Sequence, residues 1–316
     1  MQEKQFFGKI LIPVDDSTSS LAAEELTALI AKKFGSKVTA FHVVAHELMN
    51  PAMRDFLPGG GDTDMPAAGI TRGDYTIPTQ MPRQPSTSRP SKIVGEIISA
   101  YREEGEGILD EAVALFKERG VSADRKLFEH ADPAGAIVKE AEEEKYDLIV
   151  MGRSAGEEEE KPHLGSVAAK VVRHAKIPVL VGAEKTRISK ILVAVDGSKA
   201  SQKAAEHAAI IAEKTDAKVT LLYVQESSLF RMRPELSKEI GDRILSSAAN
   251  LFKGAKVEQT LESGDAAKVI VDVSNEEAYD VIVMGNKGHS SVRRFLLGSV
   301  SDHVVHYANE AVLIVK

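Results

Sequence analysis

The chain has 316 residues, no cysteine and no tryptophan, with 47 acidic against 40 basic side chains and a formal charge of −7. The absent cysteine excludes disulfides, thiolate catalysis and cysteine-held metals. The acidic balance argues against a nucleic-acid binder, which needs a broad basic surface. At 43% hydrophobic and 28% charged the composition is that of a soluble globular protein. No apolar run approaches the roughly 20 residues that span a bilayer, and the N-terminal stretch lacks the features of a secretory leader. A cytoplasmic protein of two domains is the expectation.

In chain order, Lys9–Ser17 (KILIPVDDS) reads as a short apolar strand running into a polar turn. Residues 46–92 hold seven of the 12 prolines and runs such as LPGGGDTDMP. Such a stretch reads as a loop or disordered insert, with a lid or a partner-binding segment as alternatives. Tyr146–Gly152 (YDLIVMG) and Ile177–Gly182 (IPVLVG) are apolar strands. Lys190–Ser198 (KILVAVDGS) echoes the opening 181 positions later. Ser198 can cap a helix in which Ala204, Ala205, Ala208, Ile211 and Ala212 recur at helical spacing. Next come a strand KVTLLYV, a helix around Glu235–Phe252, a strand KVEQTLE and a helix behind Asp265 through Ile270 and Val273. Tyr279–Gly285 (YDVIVMG) matches Tyr146–Gly152 in six of seven residues, 133 positions on. A glycine-containing loop, a helix from about Ser299 and the strand AVLIV close the chain.

Repeated starts, middles and ends mean two copies of one domain, 1–185 and 186–316. The first copy carries 181 − 133 = 48 extra residues, mostly in the insert. Buried strands alternating with helices predict a parallel sheet covered on both faces, with right-handed crossovers. Ligands of such sheets bind beyond the carboxyl ends of the strands, where Asp196, Val224 and Gly285 fall.

The loop after the last YDVIVMG has the spacing G-x2-G-x9-G-S: Gly285, Gly288, Gly298, Ser299. A strand, a glycine loop and a helix start bring backbone N–H groups and a helix dipole to one point, which attracts phosphate. Lys287, Arg293 and Arg294 put three positive charges there. The pattern is neither a Walker A loop nor a Rossmann fingerprint. It resembles the nucleotide-binding signature of the universal stress protein family, and the resemblance covers both copies apart from the insert.

That resemblance implies two Rossmann-like domains of the adenine nucleotide α-hydrolase-like class, each an α/β unit with a five-stranded parallel sheet and helices on both faces. It implies ATP or another adenine nucleotide at the carboxyl edge, and a regulatory role in the stress response. Asp196 would meet the adenosine end and Val224 would line the adenine pocket. Gly285, Gly288, Gly298 and Ser299 would hold ribose and phosphates, with Ala194, Met284, His289, Arg293 and Val300 completing the site. Pro13, Asp15, Val43, Gly152, Gly165 and Ser166 are the matching, weaker set in the first copy. The terminal strands Val179–Val181 and Val312–Val315 would pair within one molecule as a pseudo-dimer, a further homodimer being open. Magnesium accompanying the nucleotide is open too.

The copies differ at the loop. The position matching Gly288 is Ala155, with Gly156 one residue late. Between the outer glycines the first copy counts +2 (Arg153, Lys161) and −4 (Glu157 to Glu160), a net −2, against +3 in the second. Four carboxylates repel a triphosphate unless magnesium bridges them, so the second copy is the expected ATP site. Two rival functions stand beside nucleotide-dependent regulation: a slow ATPase or phosphoryl-transfer protein, for which no base is identifiable, and a nucleotide-independent interaction or chaperone-like module. His42 with His46, His130 with Asp132 and His303 with His306 carry no metal or catalytic signature in this context.

Overall fold

The computed structural model describes residues 6–45, 92–130, 132–153, 164–182, 187–225, 233–253, 257–288 and 297–316. Insert residues 46–91, Ala155 to Lys161 of the first glycine loop, and His289, Arg293 and Arg294 of the second lie outside them.

The first half runs β1 (Lys9–Pro13), α1 (Thr18–Phe34), β2 (Lys37–Ala45), α2 (Lys92–Glu118), β3 (Ala123–His130), α3 (Pro133–Glu143), β4 (Leu148–Met151), α4 (Ser166–His174) and β5 (Val179–Val181). The second repeats it with β6 (Lys190–Ala194), α5 (Lys199–Thr215), β7 (Lys218–Gln225), α6 (Pro234–Ala249), β8 (Val257–Ser263), α7 (Ala266–Glu276), β9 (Val281–Gly285), α8 (Ser299–Tyr307) and β10 (Ala311–Val315). Lys92, placed in the insert from its sequence, is the first residue of α2.

The strands form one ten-stranded sheet in the order β3-β2-β1-β4-β5-β10-β9-β6-β7-β8. Each half contributes five strands, parallel within the half. The halves join antiparallel through β5 and β10, with Val312 opposite Val181, Leu313 opposite Leu180 and Ile314 opposite Val179. The terminal strands therefore pair within one molecule, as expected of a tandem chain. Joining the edges this way covers two hydrogen-bonding strands that would otherwise be open.

Alternation along each strand feeds two apolar cores, one per face. Ile10 and Ile12 point to one core and Leu11 to the other; Val193 and Leu192 divide the same way. Both cores continue through β5 and β10, so the two halves share them.

The repeated YD and KI pairs act at the amino edge of the sheet, away from the glycine loops. Lys9 Nζ sits 4.2 Å over the Tyr146 ring, and Lys190 Nζ 4.2 Å over Tyr279, a cation–π contact in each half. Asp147 Oδ2 accepts from the Lys9 amide at 3.0 Å. Asp280 Oδ2 accepts from the amides of Ser189 and Lys190 at 2.8 and 3.1 Å. These contacts fasten the first strand of each half to the fourth.

Candidate functional site

At the carboxyl edge of the first half, β1 ends at Pro13 and a polar turn leads into α1. Ser17 caps α1 by accepting from the Ser20 amide. Asp15 Oδ1 accepts from the Ser17 amide at 3.0 Å and from the Ser17 hydroxyl. The Asp15 amide donates to Ser20 Oγ at 3.1 Å, and Ser20 Oγ donates to Glu24 Oε1 at 3.1 Å. Glu24 is 6% exposed. Burial, with Asp15, Glu111 and Glu25 adding repulsion against the Ser20 hydrogen bond, pushes its carboxyl up to about 7.

All six residues proposed for the first copy line one cleft of about 510 Å³: Pro13, Asp15, Val43, Gly152, Gly165 and Ser166. Gly152 is required by a close approach, because a Cβ there would lie 2.8 Å from the backbone oxygen of Ser19 in α1. Among the lining residues outside the motif reading are three from one wall: Tyr101, Glu104 and Ile108 on α2. The helical spacing of Leu109, Ala112 and Phe116, all buried, was the signal that could have revealed this wall.

Arg153 corrects the charge count. Counted as a loop cation from its sequence position, it is 4% exposed. Its Nη1 donates to Val305 O and its Nη2 to Glu310 O, each at 2.7 Å, in the second half. Burial draws its guanidinium down to about 10, partly offset by Glu310. Its Nε has no acceptor among the described residues. Its own carbonyl accepts from Gly165 N at 2.6 Å, closing the base of the first loop. The fork that would grip a phosphate bidentately is committed to the junction between halves.

At the matching edge of the second half, Ser198 caps α5 by accepting from the Ser201 amide, and Asp196 Oδ1 accepts from the Ser198 amide at 2.9 Å. Asp196 thus builds the turn. Its other carboxylate oxygen meets the glycine loop: a Cβ on Gly288 would lie 2.6 Å from Asp196 Oδ2. A Cβ on Gly285 would lie 2.7 Å from the Ala200 backbone carbon. Gly285 is required by this backbone contact, whereas a side chain at Gly288 would have to move the Asp196 carboxylate. Ser198 Oγ donates to Lys287 O at 3.4 Å, Gly298 N to Asn286 O at 2.8 Å, and Ser301 Oγ to Gly285 O at 2.8 Å.

Ala194 and Met284 are register partners on β6 and β9, and Val224 lies near the carboxyl end of the neighbouring β7. Gly298 is the N-cap of α8, and no side chain among the described residues caps the amides that start it, as is also the case for Gly165 and α4 in the first half. Val300 also packs against the second core. Lys316 Nζ donates to Val172 O across the junction, and burial together with the nearby Lys287 draws it down to about 8.

The sequence model of the universal stress protein family matches residues 81–182 and again 187–316. The chain belongs to the universal stress protein family. Universal stress protein MJ0531 of Methanocaldococcus jannaschii is 36% identical over 138 residues, which are 40% of this chain and 81% of the relative. Universal stress protein YxiE of Bacillus subtilis is 32% identical over 147 residues, 40% of this chain and 99% of the relative. A solved universal stress protein from Archaeoglobus fulgidus superposes with a TM-score of 0.66 at 23% identity, covering 98% of either chain. The family's fold thus spans this chain as two domains. No helix among the described residues is long and apolar enough to cross a membrane.

Proposed function

We propose that this universal stress protein is a nucleotide-binding regulator, cytoplasmic, whose second domain (186–316) holds one adenine nucleotide, ATP in the first instance. The first domain (1–185) does not hold a triphosphate. One observation carries the reading. In the second half Gly288 rests against the Asp196 carboxylate, at the edge where doubly wound sheets take ligands. Lys287 precedes it, and the N-terminus of α8 follows at Ser299. Backbone donors, a helix N-terminus and a cation at one point favour phosphate. The wider set Ala194, Val224, Met284, His289, Arg293 and Val300 is assigned to this pocket on the family resemblance. The first half has Asp15 and Asp16 at the same edge, and its nearest arginine is bound to the other domain.

The nucleotide regulates only if it binds two conformations of the chain unequally. Titration of nucleotide-stripped protein with ATP and magnesium tests the reading. One site per chain is expected, and it is lost in Gly288→Val. Absence of saturable ATP binding would leave the nucleotide-independent interaction module standing.

A further inference from the structure

We infer that the cleft of the first domain is a separate site for a nucleoside-like molecule: a flat ring with hydroxyl or amino donors and no phosphate. The inference rests on reading this sheet edge as a nucleotide pocket, and departs from it in ligand class.

A cleft of about 510 Å³ falls within the roughly 300–1,000 Å³ of small-molecule sites. Its walls include Phe41, Val43, Val44, Ile108, Ile137 and Met151, an apolar slot suited to a ring. The acidic groups lining it are Asp15, Asp16 and Glu104, beside the hydroxyls of Ser17, Ser19, Ser20 and Ser166. Ionised carboxylates accept hydrogen bonds and donate none. They suit hydroxyl or amino groups and repel an anion.

The second half has a different wall. Leu115–Lys117 (LFK) matches Leu251–Lys253, an offset of 136, so Tyr101 corresponds to Ser237 and Glu104 to Ile240. The first domain therefore adds a carboxylate and an aromatic ring where the second has neither. Arg153 supplies no counterweight. Both terminal nitrogens are spent on the carbonyls of Val305 and Glu310. The single N–H left, Nε, suits a neutral acceptor but cannot form the fork that a phosphate takes.

The test is equilibrium dialysis of the full chain with labelled adenosine, AMP, and ATP with magnesium. Protein saturated with ATP should still take one adenosine per chain, and AMP should bind that added site at least about tenfold more weakly. Val43→Trp fills the slot and should abolish adenosine binding; retained ATP binding shows that this variant folds. Gly288→Val should do the reverse. Glu104→Arg, at an exposed helix position, should narrow the adenosine-to-AMP gap about tenfold, since replacing a negative by a positive charge near an anion is worth a kcal/mol or more. No adenosine uptake beside a Gly288-dependent ATP site would overturn this inference alone. AMP or ATP filling the first cleft as tightly as adenosine would also overturn it. Adenosine uptake with no ATP binding anywhere would overturn the proposed function and leave the first site in place.

Discussion

The two domains have the same strand order and the same capped turn after their first strand, yet their carboxyl edges hold different chemistry. In the second, a glycine lies against Asp196 and a lysine precedes it. In the first, the arginine that follows Gly152 is drawn into the junction, and α2 adds Glu104 and Tyr101 to the lining. The fold constrains the positions of backbone amides and glycines, because helices α1 and α5 crowd them. It leaves the sign of the charge at the mouth free. A duplicated fold can thus keep its pocket and change what the pocket accepts.

The sharpest way to break this comparison is at Gly288. A valine there must displace the Asp196 carboxylate, and ATP affinity should fall about a hundredfold, near 3 kcal/mol. Calorimetric titration measures it, and thermal unfolding should show the chain still folded.

Arg153→Met comes next. It leaves two buried carbonyls and Glu310 without their cation, which should lower stability by about 3 kcal/mol. Denaturant unfolding followed by circular dichroism reads the loss. ATP affinity of the second domain should change little. A fall in ATP affinity as large as that of Gly288→Val would show the junction to be part of the site.

Glu24 separates the halves by pH. Its counterpart 181 positions on is Ala205. The folded-state carboxyl titrates near 7 against an ordinary 4.5, so the folded chain binds more protons between those values. Stability therefore falls as pH rises from 4.5 to 7, and the loss is complete above it. Glu24→Gln should remove this loss, gaining on the order of 2 kcal/mol at pH 8 and little at pH 4. Denaturation midpoints of both proteins across this range are the check.

The smallest effect is at equivalent helix starts. Asp265 caps α7 by accepting from the Lys268 amide at 3.0 Å, whereas Asp132 makes no side-chain cap for α3. Asp265→Ala should cost about 1 kcal/mol and Asp132→Ala a few tenths at most, both measured as shifts in Tm.

Much of the fold was legible because its signals are local. Ile191–Ala194 and Val281–Gly285 are short apolar runs without alternation, as expected of strands buried on both faces. Ser198 announced the start of α5. The terminal-strand pairing was implied by the family resemblance applied to a duplicated chain. What escaped depended on side-chain direction and on partners far away in sequence. Arg153 sits next to a glycine in a loop and reads as a loop cation; its partners are 152 and 157 residues away. Glu24 lies on a helix face that reads as ordinary amphipathic surface, yet it hydrogen-bonds into the Asp15 turn. The α2 wall was hidden by the proline-rich insert that precedes it. For Asp196 the family resemblance implied a pocket role; the structure shows its carboxylate building the turn, and the Gly288 contact motivates the pocket.

The central claim is that the two carboxyl edges differ in what they accept. The most direct test is the number of ATP molecules bound per chain at saturation with magnesium, counted by equilibrium dialysis on nucleotide-stripped protein. One is expected, reduced to none by Gly288→Val. Two ATP per chain, one of them surviving that substitution, would contradict it.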